Sequence, residues 1–587
     1  MHSTRSRQAF RGIVAVLLIC LPSIVGQAAD PQPPARLRRP VALVLAEKWL
    51  FVANRTAGTV SVIDTDKGRV IGESEVCRKL ADLAATPDGK RLLAVDEDAA
   101  ELIVLNRSGP ALEVAGRVTV GQSPVSVRPL ADGRRCTVAS LWARELAIVD
   151  LAAQDRSGQP SIKKVVELPF SPRQQIQVPD TDKIVVADAF GGKIAVVDVA
   201  RGIVESVRSL PAHQIRGLAW DATGKHLLIS HQVLHADAHT TQADIHWGNL
   251  IVNYVRSVSR ANLLKADADL LEGGRQLPLG DVGHGTGDPA GLAVTVDGTS
   301  VVALAGVGEV AIRTANKGDW AYVVVGQRPT AVALDAAGRR AFVADTFADR
   351  VTVVDVIGKK KDIDIVLGAQ PKLSDADHGE LLFYDARLSH ENWLSCSSCH
   401  VDGHTNGQLN DNLSDGSFGT PKRVLSLLGV KDTPPWAWNG GIADLKDQVR
   451  KSMEITMRGP KATDQQVHDL EAFLKTLVPP PPLRAETAAT RDGLQRGKEL
   501  FRQQGCTSCH VPPAYTSAKT YDVGLADEAG TKLFNPPSLR GVGQAGPYFH
   551  DNRAATLEDV LVAHRHQLKK ELAREELADL LLFLRSI

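Results

Sequence analysis

Residues from about 40 to 368 alternate short apolar runs with polar turns in one recurring order: a turn of the Asp-Gly type, an apolar strand, a short polar turn and a second apolar strand. The copies read "AEKWLFVANRTAGTVSVIDT", "PDGKRLLAVDEDAAELIVLN", "ADGRRCTVASLWARELAIVDL", "PDTDKIVVADAFGGKIAVVDV", "DATGKHLLISHQV", "VDGTSVVALAGVGEVAIRT" and "AAGRRAFVADTFADRVTVVDV". Short β-branched runs between turn residues predict strands and leave little room for helices. Their spacing is mostly about 40 to 50 residues, the period of a four-stranded propeller blade, and seven copies predict seven blades. One copy is swollen by "SHQVLHADAHTTQADIHWGNLIVNYVRS", which puts His231, His235, His239 and His246 into an insertion. Those histidines are either metal ligands or part of a polar loop, a lid facing the rest of the chain. No carboxylate or cysteine at fixed spacing selects the metal.

From about 370 the apolar positions fall three or four apart, a helical signal interrupted by Gly/Pro-rich loops. "VPPPPLRAETAAT", carrying Pro479 to Pro482, reads as a stiff extended spacer that divides this part in two. The two pieces are copies of one another. "GELLF" (379 to 383) answers "GKELF" (497 to 501), and "DLEAFLKTL" (469 to 477) answers "DLLLFLRSI" (579 to 587). "SLLGVKDTPPWAWNGGIADL" (426 to 445) aligns without a gap on "SLRGVGQAGPYFHDNRAATL" (538 to 557), so Pro435 faces Pro547, Trp436 faces Tyr548 and Trp438 faces His550. The expected layout is a segment 1–29 to be removed, a propeller over 40–368, a helical domain over 369–478, a linker over 479–490 and a second helical domain over 491–587.

Each copy contains Cys-x-x-Cys-His, as "SCSSCH" (395 to 400) and "GCTSCH" (505 to 510). Two thiols three apart reach the two vinyl carbons on one haem edge, and the adjacent histidine can then turn its imidazole onto the iron. Cys396, Cys399 and His400 would hold one covalently attached haem, and Cys506, Cys509 and His510 a second. A redox dithiol or half of a zinc site are the rival readings. The following histidine, the flanking helices and the duplication argue against both. The fold class is therefore a seven-bladed β-propeller followed by two mostly α-helical c-type cytochrome domains.

Composition narrows the partners. A chain of 587 residues exceeds one core, and Lys plus Arg equals Asp plus Glu at 68 each, which leaves no basic excess to hold nucleic acid. Arg5, Arg7 and Arg11 precede "GIVAVLLICLPSIVG" and then "GQAAD", a secretory signal cut after Ala28 or Ala29. The apolar run is short for a membrane span of about 20 residues, so a periplasmic protein with no span after cleavage is expected. Of the seven cysteines, only Cys77 and Cys136 lie outside the signal and the two motifs. They either pair or sit as small buried hydrophobes, and the second reading is preferred.

The repeats, with "FVAN", "AVDE", "VADA" and "VADT" before their turns, resemble propellers of the YVTN type. "GELLFYDARLSHENWLSCSSCH" and "FNPPSLRGVGQAGPYFHDNRAATLEDVL" resemble the two haem segments of bacterial dihaem cytochrome c peroxidases, a likeness that also reaches the dihaem enzyme maturing methylamine dehydrogenase. The resemblance spans roughly 370 to 587. It implies His400 and His510 as proximal iron ligands and Trp438 as the inter-haem tryptophan. It implies His564 as the distal ligand of the second haem, with His566 as the alternative on another helical face. Met453 and Met457, spaced i, i+4, are candidate ligands closing the first haem, and both equally suit a core. Gln448 matches a distal-pocket glutamine. Glu454 is the candidate base, since peroxide cleavage needs a group that moves a proton and an amide cannot. A calcium ion near the haem interface is also implied, although no acidic loop marks it.

The reading is an exported dihaem oxidoreductase reducing peroxide with electrons from a small soluble donor protein. Its rivals are an electron carrier whose propeller docks a redox partner, an oxidant of a protein side chain, and a propeller that binds a protein or surface ligand with the haems as accessories.

Overall fold

The computed structural model describes His2 and residues 35–587 other than 152–157, 316–317, 414–415 and 485. Apart from His2, the predicted signal lies outside the described residues. Between Pro40 and Val366 the chain forms seven sheets of four consecutive antiparallel strands each, the seven blades expected. In the first blade Pro40–Ala46 is innermost, followed by Trp49–Asn54, Thr59–Asp64 and Arg69–Glu75.

Burial explains the apolar pattern. Thr59–Asp64 is buried at every position, whereas the outer strand Arg69–Glu75 is mostly exposed. Central strands touch a neighbouring blade on both faces, so they read as continuous apolar runs rather than alternating ones. Seven apolar clusters fill the seven gaps between neighbouring blades; that between the last and first holds Phe342, Val351, Leu50 and Ile63. The ring closes without a swapped strand. The Asp349 carboxylate in the last blade accepts the backbone N–H groups of Arg38 (2.9 Å) and Arg39 (2.7 Å), just before the first strand. Outermost strands such as Lys360–Val366, "KKDIDIV", carry the charges that discourage edge pairing. Cys136 is fully buried and Cys77 half-buried; both are free thiols.

The insertion lies in the fifth blade, between two lengthened strands, His226–Leu234 and Ile251–Ser259, and carries helix α1 (Gln242–His246); α2 (Arg260–Leu264) follows. His231 is not in the loop. It sits fully buried in the strand, beside Arg256.

The helical part begins with α3 (Asp375–Phe383), the single turn α4 (Cys396–Cys399), α5 (Leu445–Lys451), a π-turn over Ser452–Thr456, and α6 (Asp464–Leu474). Its copy comprises α7 (Arg491–Gln503), α8 (Leu557–Leu561) and α9 (Arg574–Leu584). Capping boxes start α3 at Ser374/Asp377 and α6 at Thr463/Gln466. The duplication is visible atom by atom. α3 crosses α6 at Gly379, where a Cβ would strike the Asp469 carbonyl oxygen; α7 crosses α9 at Gly497, where it would strike that of Asp579. Ala437 and Phe549 share φ 67°, and the bridges Trp436–Ile442 and Tyr548–Ala554 coincide under the gapless alignment. Pro479 and Pro480 do not span open space: they pack against Gly429 and Gly541 respectively, one glycine from each copy. Propeller and helical part form one compact unit, Ala35–Ile587, and among the described residues no helix is long and apolar enough to cross a membrane.

Replacing Gly379 or Gly497 with Ala should therefore destabilise by about 1–3 kcal/mol through overpacking against backbone. Gly72→Ala, on an outer strand with nothing near its Cβ, should be neutral. Denaturant midpoints of the three variants check this.

Candidate functional site

Both Cys-x-x-Cys-His motifs open onto one cavity of about 810 Å³ between the helical copies. The Nδ1–H of His400 donates to the Leu425 carbonyl (2.8 Å) and that of His510 to the Tyr515 carbonyl (3.1 Å). In each ring this fixes the tautomer that leaves Nε2 as the free ligand atom. Burial lowers both imidazoles to about 4, so they are neutral, as ligation requires. The four motif cysteines are unpaired. Burial pushes Cys396 and Cys399 up to about 12 and Cys506 to about 11, the reverse of the lowered thiol of a redox dithiol. No cysteine joins a cluster of metal-ligating groups among the described residues, which disfavours zinc.

Polar groups in the cavity wall are arranged for an anionic, largely apolar occupant. No carboxylate lines it among the described residues, whereas Arg423, Lys422, Arg540 and Lys569 do. Arg423 is buried, which lowers its guanidinium to about 10. It ties the copies together: its backbone N–H donates to the His550 carbonyl (2.6 Å), its side chain reaches the Ala545 carbonyl, and its own carbonyl accepts the Trp438 indole N–H (2.8 Å). Arg423 Nε, His550 Nε2 and Gln448 Oε1 are buried without a hydrogen-bond partner. Orphaned polar atoms around a cavity mark groups whose partner is a ligand or ordered water. Thiols, imidazoles, apolar walls and cations together fit two covalently tethered haems.

Trp438 lines this cavity, its ring 6.3 Å from that of His550, the residue it aligns with. Gln448 also lines it, donating to Ser452 Oγ (3.1 Å). Met453 and Met457 are buried in the wall, and the Met457 sulfur lies 3.9 Å from that of Cys396.

Two expectations need correction. Glu454 does not face the cavity: it accepts the Ala462 N–H (3.0 Å) and lies 3.8 Å from Arg450. Through the π-turn Met453 and Met457 are buried while Glu454 is only partly so. His564 is exposed, its Nε2–H donating to the Arg553 carbonyl (3.1 Å), while His566 lines the cavity. The helical-face argument fails because α8 stops at Leu561 and Arg565 has φ 46°, so both histidines lie in an irregular turn. His566 is close enough to influence the charge of His510, and its ring packs edge-on to Phe549 at 5.3 Å.

The insertion does face the helical part. His239 pairs with Asp411 (2.7 Å) and stacks on Phe418, His246 pairs with Glu391 (2.9 Å), and His235 is exposed. The four histidines do not converge.

Sequence reasoning missed the propeller's grip on the first motif. Asp288 accepts the hydroxyls of Ser395 (2.5 Å) and Ser398 (2.7 Å), and the His213 Nε2–H donates to the Ser398 carbonyl (2.9 Å). Asp402, at φ 51° just past His400, reaches Arg173 (2.5 Å) and Arg216 (2.8 Å). Burial opposes its ionisation, but Arg216, Arg173 and Arg328 outweigh that and hold the carboxyl far below its usual range. These partners come from different blades, and no local spacing announces them.

Residues 374–480 match the family described as di-haem cytochrome c peroxidase. This part of the chain is thus similar to di-haem cytochrome c peroxidases, and it is joined to a seven-bladed propeller. Among curated relatives, cytochrome c551 peroxidase of Nitrosomonas europaea is 25% identical over 289 residues, 40% of this chain and 85% of the relative. Methylamine utilization protein MauG of Methylorubrum extorquens is 27% identical, covering 31% and 66%. Among solved structures, Kuenenia stuttgartiensis hydrazine synthase superposes with a TM-score of 0.48 at 20% identity, over 56% of this chain and 98% of that one.

Burial lowers His213 to about 4 and His231 to about 3, so each stays neutral while the unfolded chain takes up a proton below about 6.5. Stability should fall on acidification from pH 7 to pH 5 by about 2 kcal/mol for each such imidazole. Denaturant titrations at both pH values check this, and His213→Asn should reduce the difference.

Proposed function

We propose that this chain is an exported, peroxidase-like di-haem oxidoreductase. The single cavity shared by two Cys-x-x-Cys-His motifs, with free thiols and both imidazoles presenting Nε2, carries the reading. Cys396 and Cys399 would tether one haem with His400 as proximal ligand, and Cys506 and Cys509 the other with His510. Bound there, haem iron supplies one-electron chemistry, which two such centres can combine into the two-electron reduction of a peroxide. The names of the relatives support that substrate class.

The chain's own residues divide the remaining work. Leu425 and Tyr515 carbonyls hold the two rings in their ligating tautomers. His566 is the second haem's distal ligand in this reading. Trp438, anchored at both its indole N–H and its backbone, lies in the wall between the copies as the route for electrons. Gln448, with a free carbonyl oxygen in the wall, orients a polar substrate on the first side. A small soluble protein would deliver electrons, and Arg423, whose Nε has no protein partner, would offer positive charge to an anionic cofactor.

A second reading, a closed electron-transfer module, draws on a specific observation: among the described residues no carboxylate stands in the wall to move a proton, and Met453 does stand there. Absorption and EPR spectra of the purified holoprotein, with peroxide turnover, decide between them. A high-spin first haem that responds to cyanide, with turnover, supports the enzyme; two low-spin, ligand-indifferent haems reject it.

His566→Ala should turn the second haem high-spin, while His564→Ala should leave the spectrum unchanged. The reverse result would restore His564 as ligand.

A further inference from the structure

Outside the cavity, two imidazoles converge on one carboxylate where the fifth-blade insertion meets the helical part. His246, the last residue of α1, places Nδ1 2.9 Å from both oxygens of Glu391. His390 Nε2 approaches the same carboxylate at 3.7 Å. The donor atoms of all three residues lie within 4.8 Å of one another, and each residue is only partly exposed. The second carboxylate oxygen also accepts the Gly283 backbone N–H at 3.1 Å, which fixes its direction.

We propose that His246, His390 and Glu391 form a site for a divalent transition metal of the zinc class. Two imidazole nitrogens and a carboxylate oxygen form a borderline donor set that suits zinc rather than calcium or magnesium, which prefer all-oxygen sites. Zinc bonds of about 2.0–2.1 Å in a tetrahedron place donors about 3.4 Å apart. The 2.9 and 3.7 Å separations therefore close onto an ion with small side-chain movements. Three protein ligands leave a fourth position for water. Coordination through His246 Nδ1 uses the tautomer with its proton on Nε2, so the ion takes the place of the His246–Glu391 hydrogen bond. The site would staple the insertion to the segment 390–395 leading into the first Cys-x-x-Cys-His motif. His246 and Glu391 stand 145 residues apart in the chain, so an isolated helix or loop could not create it. Nothing in it depends on the haem assignment.

The test titrates zinc chloride into EDTA-treated, desalted holoprotein by calorimetry, with elemental analysis after gel filtration. One equivalent should bind. His246→Ala, His390→Ala and Glu391→Gln should each weaken binding at least tenfold while the haem absorption spectrum is unchanged. Glu391→Gln retains an acceptor for Gly283 and so guards against a variant that fails to fold. His468→Ala, which removes the more exposed Asp375/His468/Asp469 group, should leave binding unaltered. Absence of stoichiometric zinc in the wild-type protein, or equal binding by Glu391→Gln and His390→Ala, overturns the proposal.

Discussion

The ion cluster around Asp402 makes two architectures one molecule. A carboxylate two residues past His400 is held by Arg173 and Arg216, while Asp288 reaches back from the propeller to Ser395 and Ser398. The haem motif is therefore gripped from both ends of its short turn. Partly buried ion pairs contribute modestly to net stability, because desolvation offsets attraction, but breaking one side strands the other at a larger cost. Such a cluster fixes register. It also gives the propeller a definite role, because the face carrying Arg173, Arg216 and His213 is engaged by the chain's own cytochrome part and is not a free docking surface.

The second motif lacks this support. Its copy meets the propeller through links such as the Gln544 side-chain N–H on the Trp142 carbonyl, and the linker before it through the Arg484–Glu167 pair. Duplication therefore built two equivalent scaffolds, with matching glycine crossings at Gly379 and Gly497, and placed them in unequal surroundings. The side chains diverged accordingly. Trp438 stands where its copy has His550, and Met453, Met457 and Gln448 line the first side while His566 lines the second. In the proposed di-haem reading, thioether and imidazole ligation would move a haem potential in opposite directions, so a few wall residues would separate the roles of the two centres.

What the sequence made legible follows from how local each signal is. Blade number came from repeated strand and turn chemistry, since each blade is four consecutive strands with no swapped partner. The duplicated helices were legible because Gly379, Gly497 and the aligned loops repeat in order. Glu454 and His564 were both carried over by position from the family resemblance, and position does not fix direction where the chain makes a π-turn in one copy and sets Arg565 in a left-handed conformation in the other. Helical phase is lost within one residue of such a break. The partners of Asp402 and Asp288 come from separate blades and could emerge only from the folded ring.

The absence of a carboxylate from the cavity wall among the described residues bears on what can react there. Electrons need only an aromatic bridge, and Trp438 is held rigidly by the Arg423 carbonyl and by its own backbone bond to Asn535. Protons need a chain of groups that can both take and give them. On the first side the candidate polar group is Gln448, an amide that can orient a substrate but not relay its proton, and Glu454 is engaged elsewhere. In the proposed reaction protons would then come from water entering the cavity or from an imidazole of the wall such as His550, whose Nε2 has no protein partner.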